Sequence, residues 1–207
     1  MANEMRLFYA QASPYVRKVL VVARETGQID DIDVVPVTVS PLDGGTEVPA
    51  HNPLGKLPTL ERTGGPALYD SRVICRYLVE RAGGALIPTA PRLWEVLTLE
   101  ATGDGITDAA ITMVYEYRVH PAEHVSAAMV EGQWTKIARA LDALEGRWLS
   151  HLAGPLDMGQ IAVGCALGYL DLRHGARDWR RGRDGLTDWF ARFSERPSMQ
   201  ATRPPEA

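Results

Sequence analysis

The chain has 207 residues, of which 45% are hydrophobic and 23% charged, and its formal net charge is -4. That is an ordinary composition for a soluble protein of one large domain or two small ones, and the mild negative charge argues against a nucleic-acid binder, which would carry a basic face. No apolar stretch approaches the roughly 18 residues of a membrane helix, and the start, Met1-Ala2-Asn3-Glu4, has no basic segment followed by an apolar one, so a cytoplasmic protein without a secretory leader is expected.

Met5–Tyr9 reads as a first strand. Ala12-Ser13-Pro14 then turns the chain into a helix over 14–26, with Val16, Val19, Leu20 and Ala23 recurring at spacings of three and four. Ser13 stands where a hydroxyl can cap the helix, and Pro14 occupies the first helical position, where a missing N–H costs little. The same place can hold an anion, because the first N–H groups of a helix lack partners and its dipole is positive there. Both uses are open to the serine on these residues alone. Gly27 is a helix stop, and Ile32–Val39 alternates like a second strand, with Pro36 suggesting an edge position. A right-handed crossover makes the two strands parallel.

Residues 40–56 are rich in Gly and Pro and read as a long loop containing at most one helical turn. Leu57–Arg62 and Ala67–Tyr69, separated by Thr63-Gly64-Gly65, read as a hairpin. Asp70-Ser71 opens a helix carrying Val73, Ile74, Tyr77 and Leu78, and Gly83-Gly84 ends it. Residues 5–83 are thus βαβ followed by ββα around a four-stranded mixed sheet, and 84–91 read as a linker.

From Arg92 to Ala207 no strand is expected. Residues 92–118 form a long helical stretch, with Gly103-Asp104-Gly105 as the place for a kink. In 123–150, Val130, Trp134, Ile137, Leu141, Leu144 and Trp148 alternate spacings of four and three, an apolar seam on one helix face. Residues 157–173 form a helix apolar nearly all round, hence central, entered through a capping box of Asp157 and Gln160 with Leu156 stapling onto Ile161. Leu186–Phe193 reads as a last helix. Cys75 and Cys165 form no CxxC and the histidines no HxxxH or HExxH, so no metal site is expected and both cysteines read as small buried residues.

Four motifs, in order, give the chain its resemblance: Ser13-Pro14-Tyr15-Val16-Arg17-Lys18, Asn52-Pro53-Leu54-Gly55-Lys56-Leu57-Pro58-Thr59-Leu60, Asp70-Ser71, and the helix start from Asp157 to Cys165. Over about residues 5–200 the chain resembles the bacterial cytosolic glutathione S-transferases of the serine type. The resemblance implies α/β plus all-α architecture: a thioredoxin-like glutathione-binding domain over 5–83 and an all-helical C-terminal domain over 92–207. It implies Ser13 as the catalytic hydroxyl, donating to the sulfur of glutathione, which is a co-substrate here. Tyr9 is a rival donor, but it lies inside the strand.

The resemblance further implies that Leu57, held by a cis Pro58, pairs its backbone with the peptide backbone of glutathione. Asp70 and Ser71 would take the γ-glutamyl end and Lys56 the glycyl carboxylate. Residues 40–50 hold no basic side chain, where some classes place a second one; His51 is the nearest. Tyr15, Tyr115 and Arg118 are candidates for the pocket of a small hydrophobic electrophile, and Asp108 for a contact across a homodimer. Serine rather than cysteine at position 13 favours thiolate activation over mixed-disulfide chemistry. A glutathione-dependent peroxidase or disulfide reductase, and a non-catalytic glutathione-binding module, are the alternatives on the same fold.

Overall fold

A computed structural model describes residues 4–205. It divides into two compact units, the first running to Ile87 and taking back Ala201–Pro205, the second spanning Pro88–Gln200.

In the first unit, β1 (Met5–Tyr9) is followed by α1 (Pro14–Glu25) and then by β2 (Ile32–Pro36). Their order was legible because each residue pattern is local. Val16, Val19, Val22 and Ala23 share the buried face of α1, and each large side chain so buried contributes roughly 1.5–3 kcal/mol. β1 is the central strand. It pairs in parallel with β2 and antiparallel with β3 (Thr59–Arg62), so β2 is an edge and tolerates Pro36. A short turn of helix, α2 (Val48–His51), lies in the long loop, and α3 (Ser71–Arg81) closes the unit.

Among the described residues the sheet has three strands, not the four expected. The second arm of the hairpin makes one bridge only, in which Leu60 N–H donates to Leu68 O at 3.0 Å and Leu68 N–H to Leu60 O at 2.8 Å. Pro66, without an N–H, precedes this arm, and the chain turns into α3 directly after it, so the ladder cannot extend. β2 also stops three residues short of the expected Val39, although Val37 N–H still reaches Tyr9 O at 2.9 Å.

The second unit is helical: α4 (Leu93–Val119), α5 (Ala127–Ala143), α6 (Leu149–Leu152), α7 (Met158–His174), α8 (Asp184–Ser194) and the short α9 (Pro197–Ala201). The seam of α5 continues through a π-helical turn, Leu144–Trp148, and buries Val130, Ile137, Leu141 and Leu144. The Gly103–Gly105 stretch stays helical within α4. Its glycine serves packing: a Cβ on Gly103 would lie 2.6 Å from the backbone of Ala162, and one on Gly159 would lie 2.8 Å from Leu99. α4 and α7 therefore approach closely in parallel register. α7 starts at the expected capping box, in which Asp157 Oδ1 accepts from Gln160 N–H at 3.1 Å and Gln160 Oε1 accepts from Asp157 N–H at 3.1 Å. α8 has no cap of its own. The Glu145 carboxylate, on the π-helical turn, accepts from Gly185 N–H at 3.1 Å and Leu186 N–H at 2.7 Å. Among the described residues no helix is long and apolar enough to cross a membrane.

Candidate functional site

Three loops meet at one end of the sheet, and the strand register decides it. Phe8 is opposite Thr59 across the antiparallel pair. The residues that leave β1, up to Ser13, therefore lie at the same end as Leu57 and Pro58, which enter β3. The Leu60–Leu68 bridge then brings the returning chain alongside, so Asp70 and Ser71 head toward that end as well.

Ser13 is the N-cap of α1. Its Oγ accepts from Val16 N–H at 3.3 Å, at the long end for such a bond. Ala10 O and the Arg17 N–H hold its own backbone, each at 3.0 Å. Accepting one bond leaves the hydroxyl proton available, and among the described residues it donates to no acceptor. Ser13 is half-buried, so a ligand can reach it, and Tyr15 follows half-buried in the first turn. Tyr9 ends β1, and its carbonyl is committed to Val37.

The Leu57–Pro58 peptide bond is cis. The turn that carries it is held by Asn52, which is 1% exposed. Asn52 Nδ2 donates to Lys56 O at 2.9 Å and to Thr59 Oγ1 at 3.1 Å, and Thr59 Oγ1 donates to the same carbonyl at 2.9 Å. Sequence reasoning included Asn52 in its motif but gave it no role. Its Asn-Pro dipeptide is a turn signal, and the turn it fixes is the one that carries the cis Leu57–Pro58 bond. Everything around Leu57 is thus bonded, while Leu57 N–H and C=O have no partner among the described residues. Unpaired main-chain groups beside a sheet are what an extended peptide needs to add a strand.

Asp70 is the N-cap of α3, its Oδ1 accepting from Arg72 N–H at 2.9 Å. Ser71 is the first helical residue. It is 3% exposed, and its hydroxyl makes no hydrogen bond among the described residues. Lys56 is exposed and makes no ion pair among them. His51 is spoken for: it stacks on Phe8 with centroids 5.1 Å apart, and its Nδ1 lies 3.0 Å from Glu61 Oε1.

The remaining candidates lie on α4 in the second unit. Asp108, Tyr115 and Arg118 are exposed, whereas Asp104 is buried. Tyr169 and Arg173 of α7 belong with Tyr115 and Arg118, which the sequence reading did not foresee. Burial raises the Tyr169 phenol above its ordinary pKa; a bond from Arg173 and the charges of Arg173 and Arg118 oppose this, while Tyr115 adds to it. The signal available was a tyrosine and an arginine four apart at the end of an otherwise apolar helix. Cys75 and Cys165 are buried, and among the described residues no group of His, Cys, Asp and Glu could hold a metal ion.

The model of the glutathione S-transferase N-terminal domain matches residues 12–81, and that of the glutathione S-transferase C-terminal domain matches residues 125–192. The uncharacterized GST-like protein YibF of Escherichia coli (strain K12) is 32% identical over 98% of this chain and 100% of its own length. A glutathione transferase family member from Pseudomonas fluorescens Pf-5, solved with bound glutathione, is 43% identical, with a TM-score of 0.95 over 97% of this chain and 99% of that one. The structure of a Pf-5 family member with bound S-(propanoic acid)-glutathione gives 43% identity and a TM-score of 0.90, over 97% of this chain and 100% of that one.

Proposed function

This chain belongs to the glutathione S-transferase family, and on that premise we propose that it binds glutathione along the Ser13–Leu57–Ser71 end of its sheet and holds the thiol as a thiolate beside Ser13. Its fold is the family's, a thioredoxin-like unit followed by a helical one. One observation carries the reading: a hydroxyl proton, a backbone N–H with its C=O, and a second hydroxyl are left without protein partners at one end of one sheet. Buried and half-buried polar groups are normally bonded, so three uncommitted sets together ask for a ligand with matching groups.

Glutathione has them. Its peptide backbone pairs with Leu57 like an added strand, its γ-glutamyl carboxylate meets Ser71 at the start of α3, and Asp70 keeps an oxygen for the amino group. Lys56 takes the glycyl carboxylate as a point charge. The sulfur then lies against Ser13 at the start of α1. A free thiol ionises at about 8.5, and lowering that by about two units needs roughly 2.7 kcal/mol. A hydrogen bond to a charged group supplies about 1.5–3 kcal/mol, and a helix N-terminus a further 0.3–1 kcal/mol or so. No general base is required. The thiol proton passes to solvent, and the thiolate attacks an electrophilic carbon near Tyr15 while the leaving group departs with the bonding pair; proximity supplies the rest of the acceleration. The Pf-5 structure with a glutathione conjugate supports a site of this kind here. We also place the protein in the cytoplasm as a homodimer, with Asp108 reaching the γ-glutamyl group of the other subunit.

Calorimetric titration tests the binding mode. Ser71→Ala leaves the Asp70 cap in place and should weaken glutathione about three- to tenfold, the size of one lost hydrogen bond. The dipeptide cysteinylglycine, which lacks the γ-glutamyl group, should bind wild type and variant equally. Equal glutathione affinity in the two proteins, or no binding at all, refutes the arrangement.

A further inference from the structure

Thr59, the first residue of β3, carries a polar side chain and is 0% exposed. Valine has the same shape and would suit the strand without burying a hydroxyl, which costs free energy unless it is bonded. The Thr59 hydroxyl is bonded twice, and both bonds run back into the preceding turn rather than across the sheet. Oγ1 donates to Lys56 O at 2.9 Å and accepts from Asn52 Nδ2 at 3.1 Å. Asn52 Nδ2 donates to the same Lys56 O at 2.9 Å. Two buried side chains thus converge on one main-chain carbonyl and take up both of its lone pairs.

Both donors are themselves held. Asn52 N–H donates to Val48 O at 2.8 Å and so closes α2, its carbonyl accepts from Gly55 N–H at 2.9 Å, and its Oδ1 accepts from Leu54 N–H at 3.0 Å. Thr59 is fixed in the ladder opposite Phe8. Lys56 O belongs to the same peptide group as Leu57 N–H. That peptide bond is trans, and in a planar trans peptide the C=O and the N–H point in opposite directions. Drawing the oxygen toward the buried Asn52 and Thr59 therefore turns Leu57 N–H away from them, where it has no partner among the described residues.

We propose that Thr59 and Asn52 are positioning residues for glutathione: by pinning Lys56 O they hold Leu57 N–H aimed at the ligand's peptide backbone before the ligand arrives. This rests on the reading of Leu57 as the partner of that backbone and names the side chains that make the partner ready. Neither side chain touches the ligand. Their effect falls on affinity, because a peptide group that spends only part of its time in the competent orientation weakens binding by the inverse of that fraction. The γ-glutamyl link of glutathione is not an α-peptide, so the part that pairs like a strand is its cysteinylglycine.

Calorimetric titration with glutathione and with cysteinylglycine tests it, together with amide hydrogen exchange at Leu57 followed by NMR. Thr59→Val should weaken both ligands by the same factor, about three- to tenfold, and Thr59→Ser, which keeps the hydroxyl, should recover most of the loss. Asn52→Ala removes the other donor and should act in the same direction, so the outcome does not hang on one variant folding. In wild type, saturating glutathione should slow exchange at the Leu57 amide by about tenfold or more. Thr59→Val binding both ligands as wild type does overturns the proposal. So does a loss confined to glutathione, which would place the defect at the γ-glutamyl end, or one that Thr59→Ser fails to recover, which would make packing of the methyl group the cause. Wild type separates the two levels: if it binds no glutathione, the transferase reading falls, and this proposal with it. If it binds while exchange at Leu57 is unchanged, the ligand is held without that N–H and only this proposal falls.

Discussion

Replacing Ser13 by alanine separates the two roles open to this residue. As a cap, Ser13 does little. Its bond to Val16 N–H is 3.3 Å long, so the loss belongs at the low end of capping effects, about 0.5 kcal/mol. In a chain of this size that lowers Tm by roughly 1–2 °C. As a donor to sulfur, the same hydroxyl is worth about 1.5–3 kcal/mol to the thiolate. Removing it raises the pKa of bound glutathione by about one to two units. Thiolate at neutral pH, and with it turnover, then falls roughly threefold to twenty-fivefold, because a bound thiol ionising at about 6.5 is already mostly thiolate there. Glutathione affinity should fall much less, because Leu57 and Ser71 are untouched. Ultraviolet absorbance of the thiolate, followed against pH with enzyme in excess over glutathione, reads the pKa directly, and thermal unfolding of the same samples reads the cap. A bound thiol whose pKa is the same in wild type and Ser13→Ala, with turnover unchanged, would refute the reasoning and leave Ser13 a cap only.

Two further outcomes concern the helical unit. Asp157 is 2% exposed, accepts from Gln160 N–H, and lies 2.8 Å from His151 Nε2. Asp157→Ala removes a cap and leaves a half-buried histidine without its carboxylate, for a loss of about 2–4 kcal/mol in urea unfolding; Asp157→Asn, which can still cap, should recover a good part, and a loss below about 0.5 kcal/mol for alanine would contradict the assignment. His174 is held below the ordinary histidine pKa, chiefly by burial and further by Arg177 and Arg173, against the Ala110 carbonyl that favours its proton. The unfolded chain therefore takes up a proton that the folded one resists. The stability from this residue is present above the ordinary histidine pKa and is lost as pH falls from there toward the lowered folded value. His174→Gln should flatten that part of the stability–pH curve, and parallel curves for the two proteins would show that His174 contributes nothing to it.

What the sequence determined by itself is local in origin. Ser13, Asp70 and Asp157 could be read as helix starts because capping is settled within three residues, and the α5 seam could be read because helical neighbours are three and four apart. The family motifs named Ser13, Leu57 and Ser71 in the same way, one by one. The tertiary structure alone decided what depends on distant partners. Glu145 caps α8 across 40 residues of chain, and no local signal announces such a bond. The hairpin's second arm failed as a strand because neighbours in space, not its own alternation, determine how far a ladder runs. Tyr169 and Arg173 joined Tyr115 and Arg118 only through the register of α4 on α7, which Gly103 and Gly159 permit by lacking a side chain. The meeting of the three uncommitted groups follows from Phe8 facing Thr59 and Leu60 facing Leu68. Strand pairing joins residues far apart in the chain, and a shift of one position would have turned the same side chains to the opposite face of the sheet.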